Sequence, residues 1–170
     1  LLISRTCGST AEEPGGWNQL VVFGAILVVS QLYAVAGWAT TTYAVGADQG
    51  FVYIRSEYPH AVETMEIAIR GAREGGMLGA NVAGSKYAFD MEVRVGAGAY
   101  VCGEETSLLE SLEGKRGEVR AKPPLPAHIG LFAKPTVINN VLSLASVPII
   151  MSDGAAYYRD FGMGRSRGTM

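Results

Sequence analysis

Phe89-Asp90-Met91-Glu92-Val93-Arg94-Val95 alternates apolar and polar side chains, which is the period of a β-strand. It runs directly into Gly96-Ala97-Gly98-Ala99-Tyr100-Val101-Cys102-Gly103, and a short helix is predicted from near Glu104 to Gly114. Strand, glycine-rich loop and helix in that order belong to an α/β protein. Glycine lets a ligand approach the backbone closely, and a helix N-terminus offers free N–H groups. The spacing is G-x-G-x-x-x-x-G, without the Lys-Ser/Thr of a P-loop and without a third glycine at the dinucleotide position. On spacing alone, a phosphate-cradling loop and a plain tight turn both stand.

Upstream, Asp48-Gln49-Gly50 reads as a turn and Phe51-Val52-Tyr53-Ile54-Arg55 as a strand. A helix follows, with Ser56 as its expected cap and Pro59 in its first turn. Val62, Met65, Ala68, Ile69 and Ala72 fall at three- and four-residue steps on one face. Glu63, Glu66, Arg70 and Arg73 fall on the other, and Gly75-Gly76 ends the helix. Downstream, residues 115–138 form a connection with Pro123, Pro124, Pro126 and Pro135. A further helix is predicted from Asn139-Asn140 to about Met151, kinked at Pro148, and a last short one over Ala155–Phe161.

The chain has 170 residues and is 48% hydrophobic, enough to bury a core. Its 14 basic and 16 acidic residues give a net charge of −2, which argues against a general nucleic-acid binder. Cys7 and Cys102 are far apart with no C-x-x-C pair, so neither a zinc ribbon nor a self-contained iron–sulfur site is encoded. A disulfide scaffold is excluded too, in keeping with a reducing compartment. Residues 20–39 are nearly all apolar and long enough to span a bilayer, but no Lys or Arg cluster follows them, which favours a buried segment. Neither end carries a start or stop signal, and the sequence reads as a fragment.

The residues with chemistry cluster near the loop. Glu104-Glu105 can accept hydrogen bonds from ribityl or ribose hydroxyls or sit near a redox ring; equally, they can be acids favoured at a helix N-terminus. In Asn139-Asn140 one amide can cap the helix and the other can donate to a ligand. Lys115, Arg116, Arg120 and Lys122 read as a solvated basic loop. His60 and His128 have no partner cluster, and Cys102 reads as a small buried thiol.

Gly96-Ala97-Gly98-Ala99-Tyr100-Val101-Cys102-Gly103-Glu104-Glu105-Thr106-Ser107-Leu108-Leu109-Glu110-Ser111 resembles a signature of the flavoprotein subunit that binds FMN and NADH in respiratory complex I and its relatives. Leu112–Gly117, Lys122-Pro123-Pro124-Leu125-Pro126-Ala127 and Lys134–Val141 continue the likeness in order, and Tyr53–Pro59 fits upstream. The end at Phe161–Thr169 looks most like the beta subunit of NAD-dependent molybdenum formate dehydrogenases, with NAD-reducing hydrogenases next. The resemblance implies a Rossmann-like FMN- and NADH-binding core fragment, and an oxidoreductase that passes a hydride between NADH and FMN and single electrons to iron–sulfur clusters. It implies that Gly96, Gly98, Tyr100, Gly103, Glu104 and Glu105 line the flavin and nucleotide cleft, with Glu105 also facing the nicotinamide. Asn139 and Asn140 would contact FMN, with Ser143 a further candidate.

The same resemblance implies partners in iron–sulfur subunits, a cytoplasmic location peripheral to the inner membrane, and a 4Fe–4S cluster only in the full-length parent. Residues 43–168 are expected to be the partial cofactor domain and residues 169–170 the start of a ubiquitin-like domain. Residues 1–42 read as a divergent or frame-shifted stretch: Thr10-Ala11-Glu12-Glu13-Pro14-Gly15 echoes a family flavin motif poorly, and residues 17–42 carry no charge. Leu125 stands where relatives commonly have an aromatic residue. Two rival readings are a membrane-anchored domain using residues 20–39 and a non-catalytic structural or interaction domain.

Overall fold

A computed structural model of the chain describes residues 46–167. The expectations for residues 1–42, the apolar run 20–39, the domain boundary at 43 and residues 169–170 lie outside the described residues. The elements are β1 (Gln49–Arg55), α1 (Pro59–Glu74), β2 (Asp90–Gly96), α2 (Glu105–Leu112), α3 (Val141–Asp160), β3 (Gly162–Met163) and β4 (Ser166–Arg167).

β1 and β2 are parallel, with Gln49 opposite Asp90 and Arg55 opposite Gly96. α1 joins them, so the first three elements form a strand–helix–strand unit. Side chains on β1 alternate between faces. Val52 and Ile54 pack with Met65, Ala68, Ile69 and Ala72 of α1 and with Phe89 and Met91. Tyr53 packs the other way, with Leu108 and Leu109 of α2, Cys102 and Leu131, and Phe51 joins that cluster partly buried. β1 is therefore covered on both faces, which explains its run of apolar residues. The arrangement is a mixed helix and strand fold with a parallel sheet, of the α/β class.

Met65, Ala68, Ile69 and Ala72 of the α1 stripe are buried as their spacing predicts, and Val62 packs partly buried against them. Its expected cap is not as predicted: Tyr58 occupies the N-cap position without a side-chain cap bond, not Ser56. Pro59 is the reason. Proline favours the first helical position, which fixes the cap at the residue before it. At the far end, Arg73 donates to Asp90 Oδ1 (2.9 Å) and to the Met91 carbonyl (2.8 Å), tying the helix to the start of β2.

α3 starts at Asn140, whose Oδ1 accepts from Leu142 N–H at 2.9 Å. Pro148 lies within the helix, but the residue that leaves helical geometry is Gly154 (φ 87, ψ 161). The run is thus two pieces end to end, matching a helix to about Met151 and another from Ala155. By length and composition alone, α3 is the one helix among the described residues able to cross a bilayer. The break at Gly154 and the charges of Asp153, Arg159 and Asp160 interrupt that run. β3 and β4 pair antiparallel across Gly164-Arg165, with Gly164 at φ 58 supplying the left-handed turn position.

Candidate functional site

The carboxyl ends of β1 and β2 lie side by side, where open α/β sheets leave a crevice for ligands. The loop leaving β2 there is held by its neighbours. A Cβ at Gly96 would overlap the ring and hydroxyl of Tyr53, so glycine is required by packing. That hydroxyl lies 2.9 Å from Ser111 Oγ, and burial pushes the Tyr53 phenol above its ordinary pKa. Gly98 adopts φ 81, open mainly to glycine, and its carbonyl lies 3.4 Å from Arg55 Nη2. Arg55 is also ion-paired with Glu57.

Tyr100–Gly103 then forms one 3-10 turn that leaves Tyr100 88% exposed and buries Cys102. Gly103 differs from the two glycines before it. Its φ lies outside the left-handed region, and nothing lies within 4 Å of where its Cβ would be. Among the described residues, none would be crowded by a side chain at 103.

Glu104 is the N-cap of α2. Its Oε2 accepts from Thr106 N–H and Ser107 N–H, both at 2.9 Å, and from the Thr106 hydroxyl. Its Oε1 accepts from Lys122 Nζ at 3.0 Å. Burial alone would raise this carboxyl, but the donors from Thr106, Ser107 and Lys122 outweigh it and hold the pKa down to about 2. Lys122 also donates to Glu105 Oε1. One ammonium thus bridges two adjacent carboxylates, leaving a net charge of −1 on the triad. The helix-N-terminus reading holds for Glu104, the capping acid, while Glu105 has Lys122 as its side-chain partner.

The basic run differs from the solvated loop that its composition predicts. Arg120 pairs with Glu110 and, through Nη2, with Glu113 at 2.8 Å, and its Nη1 donates to the Gly130 carbonyl at 3.1 Å. Lys115 donates to Glu113 Oε2 at 2.8 Å. Hydrogen bonding from Lys115, then from Arg120 and Phe132 N–H, outweighs burial and holds Glu113 at about 2. Arg116 fits the solvated reading, with its side chain 90% exposed and 3.9 Å from Glu118, and Lys115 is paired but still 61% exposed. Sequence reasoning missed Lys122, Arg120 and Thr106. No sequence signal pairs Lys122 with its acids, because it lies in a connection without a repeating period.

Asn139 and Asn140 enter beside this core, because Ile138 packs against the cluster of Tyr53, Cys102 and Leu109. Asn140 Oδ1 is committed to the cap of α3. Asn139 is half-buried, and Ser143 is exposed one turn into α3. Of the predicted residues, Gly96 is buried against Tyr53, Tyr100 and Gly103 are exposed in the loop that leaves β2, and Glu104 and Glu105 are joined by Lys122. Among the described residues, no group of three or more His, Cys, Asp or Glu is placed to hold a metal ion.

Residues 28–149 match the family model described as the Nuo51 FMN-binding domain. The chain is 45% identical over 163 residues to the NADP-reducing hydrogenase protein HndC of Solidesulfovibrio fructosivorans, covering 96% of this chain and 32% of that protein. It is 47% identical over 162 residues to an NADH-quinone oxidoreductase subunit of Rhizobium meliloti, covering 95% and 38%. A crystal structure of NAD+-reducing [NiFe]-hydrogenase in the H2-reduced state superposes with a TM-score of 0.70 at 38% identity, covering 92% of this chain and 25% of that one. The chain spans about a third of the length of the curated relatives it matches.

Proposed function

The chain belongs to the Nuo51 FMN-binding domain family, and from that premise we propose that it is a Rossmann-like core segment of a flavoprotein subunit transferring a hydride between NAD(H) and FMN. The observation that carries the proposal is Gly103: an exposed glycine with an ordinary φ and, among the described residues, open space at its Cβ, in the loop that leaves the carboxyl end of β2. Such a glycine fits close approach of a flat ring or phosphate to the backbone.

FMN, when bound, accepts two electrons as a hydride and releases them singly to iron–sulfur clusters. The chain's residues bind and orient. The Gly96–Gly103 loop and Tyr100 offer a wall, and the amide of Asn139 is available to donate, with Asn140 and Ser143 beside it. Glu104 is used up in capping α2, which leaves Glu105 as the carboxylate that faces the reacting ring. Lys122 offsets one of the two negative charges, so a phosphate-bearing ligand meets less repulsion. No general acid or base is needed for the hydride step; alignment of the rings and exclusion of water are the protein's contribution.

In this reading residues 43–168 are the partial cofactor domain, and iron–sulfur subunits of a larger complex are the electron partners. Likeness to the formate dehydrogenase beta subunit rests on residues 161–169 alone. The test is a fluorescence-quenching titration of the chain with FMN, with riboflavin as control. Saturable quenching with FMN and none with riboflavin is expected. Equal quenching by both would remove phosphate recognition from the loop, and no quenching by either would overturn the proposed site.

A further inference from the structure

Residues 116–122 have no regular secondary structure, yet Lys122 must sit within reach of two carboxylates. Its position depends on side-chain tethers. The Arg120 guanidinium supplies one set, to Glu110, Glu113 and the Gly130 carbonyl. The other runs through the backbone. Arg120 N–H donates to Thr106 Oγ1 at 2.9 Å, and the Thr106 hydroxyl in turn donates to Glu104 Oε2. Thr106 is 2% exposed, so neither bond is replaced by water.

We infer that Thr106 is a positioning residue: its hydroxyl ties the Glu104 carboxylate to the segment carrying Lys122, and so fixes the Glu104–Lys122–Glu105 triad as one unit. The inference rests on the proposed function for its consequence, cofactor placement, but not for the tether itself. A hydroxyl is the smallest group able to donate and accept at once in this space. Valine has the same shape and neither capacity. In Thr106→Val the Arg120 N–H would be left buried without an acceptor and Glu104 Oε2 would lose its third donor. The chain at 120–122 would then move to find water, taking Lys122 with it. Serine keeps the hydroxyl and should restore the tether.

The experiment uses the 170-residue chain, unsubstituted and as Thr106→Val and Thr106→Ser. Amide hydrogen exchange at Arg120 is read first, without cofactor. In the unsubstituted chain it should be on the order of 100-fold slower than at Ala121, which has no acceptor among the described residues. Equal rates would overturn the tether even if Thr106→Val fails to fold. The Glu104 carboxyl is then titrated by NMR. Its midpoint should rise from about 2 in Thr106→Val and return in Thr106→Ser. Affinity for FMN should fall about five-fold in the valine variant and recover in the serine variant. An unmoved midpoint, no recovery with serine, or a valine variant binding FMN as tightly as the unsubstituted chain would overturn the positioning role. Absence of FMN binding by the unsubstituted chain speaks against the proposed function alone, because exchange and titration are read without cofactor.

Discussion

Lys122 Nζ reaches back 18 residues to lie 3.0 Å from Glu104 Oε1. The same ammonium holds Glu105, so one cation offsets two adjacent acids at the start of α2. The electrostatics of the acid pair therefore depend on a residue from a loop, not on the helix itself.

Lys122→Gln should leave the thermal midpoint nearly unchanged, since an exposed ion pair contributes little to folding. The two carboxylates would then face each other without a counter-ion. FMN affinity is expected to fall about five-fold at low salt, and less at high salt where the repulsion is screened. A titration at two ionic strengths checks this.

The glycines separate packing from ligand approach. Gly96→Ala overlaps Tyr53 and should destabilise the chain by roughly 1–3 kcal/mol in urea unfolding. Gly103→Ala meets nothing among the described residues and should stay within about 0.5 kcal/mol, yet lose FMN binding. If Gly103→Ala binds FMN as well as the unsubstituted chain, no ligand approaches there.

Asn140→Ala removes the cap of α3 and should cost about 1 kcal/mol of stability. Asn139→Ala removes an amide that holds no cap and should leave stability alone while weakening FMN binding. Parallel urea and FMN titrations distinguish the two roles.

Glu105→Gln removes a negative charge from the acid pair. Negative charge disfavours reduced, anionic flavin, so its loss should raise the midpoint potential of bound FMN by a few tens of millivolts. Spectroscopic redox titration of the FMN-loaded full-length protein reads this, and an unchanged potential removes Glu105 from the flavin.

Glu104 and Glu113 are each lowered from 4.5 to about 2 by folding. Carboxyls lowered in the folded state bind protons more weakly there than in the unfolded chain. Their stabilisation is present above pH 4.5 and is lost as pH falls from there towards 2. The urea midpoint should therefore be flat from pH 7 to about 5 and drop below. In Glu113→Gln the drop should be shallower, because one of the two linked groups is gone.

The strand at 51–55, the amphipathic helix from Pro59, the strand at 89–95 and the acidic start of α2 were all legible in the chain of residues alone. Each is set by a period or an end signal contained within one element. The cap was misread as Ser56, because the preference of Ser for caps was followed over the constraint of Pro59, which puts the cap at Tyr58. Two features came only with the folded path. Gly96 is obligatory because Tyr53, on the neighbouring strand, lies where its side chain would be. Lys122 and Arg120 serve α2 because the proline-rich connection folds back across 10 to 18 residues. A loop has no repeating period, so no spacing rule links a cation to its acid; only the packing of distant segments brings them within hydrogen-bonding distance.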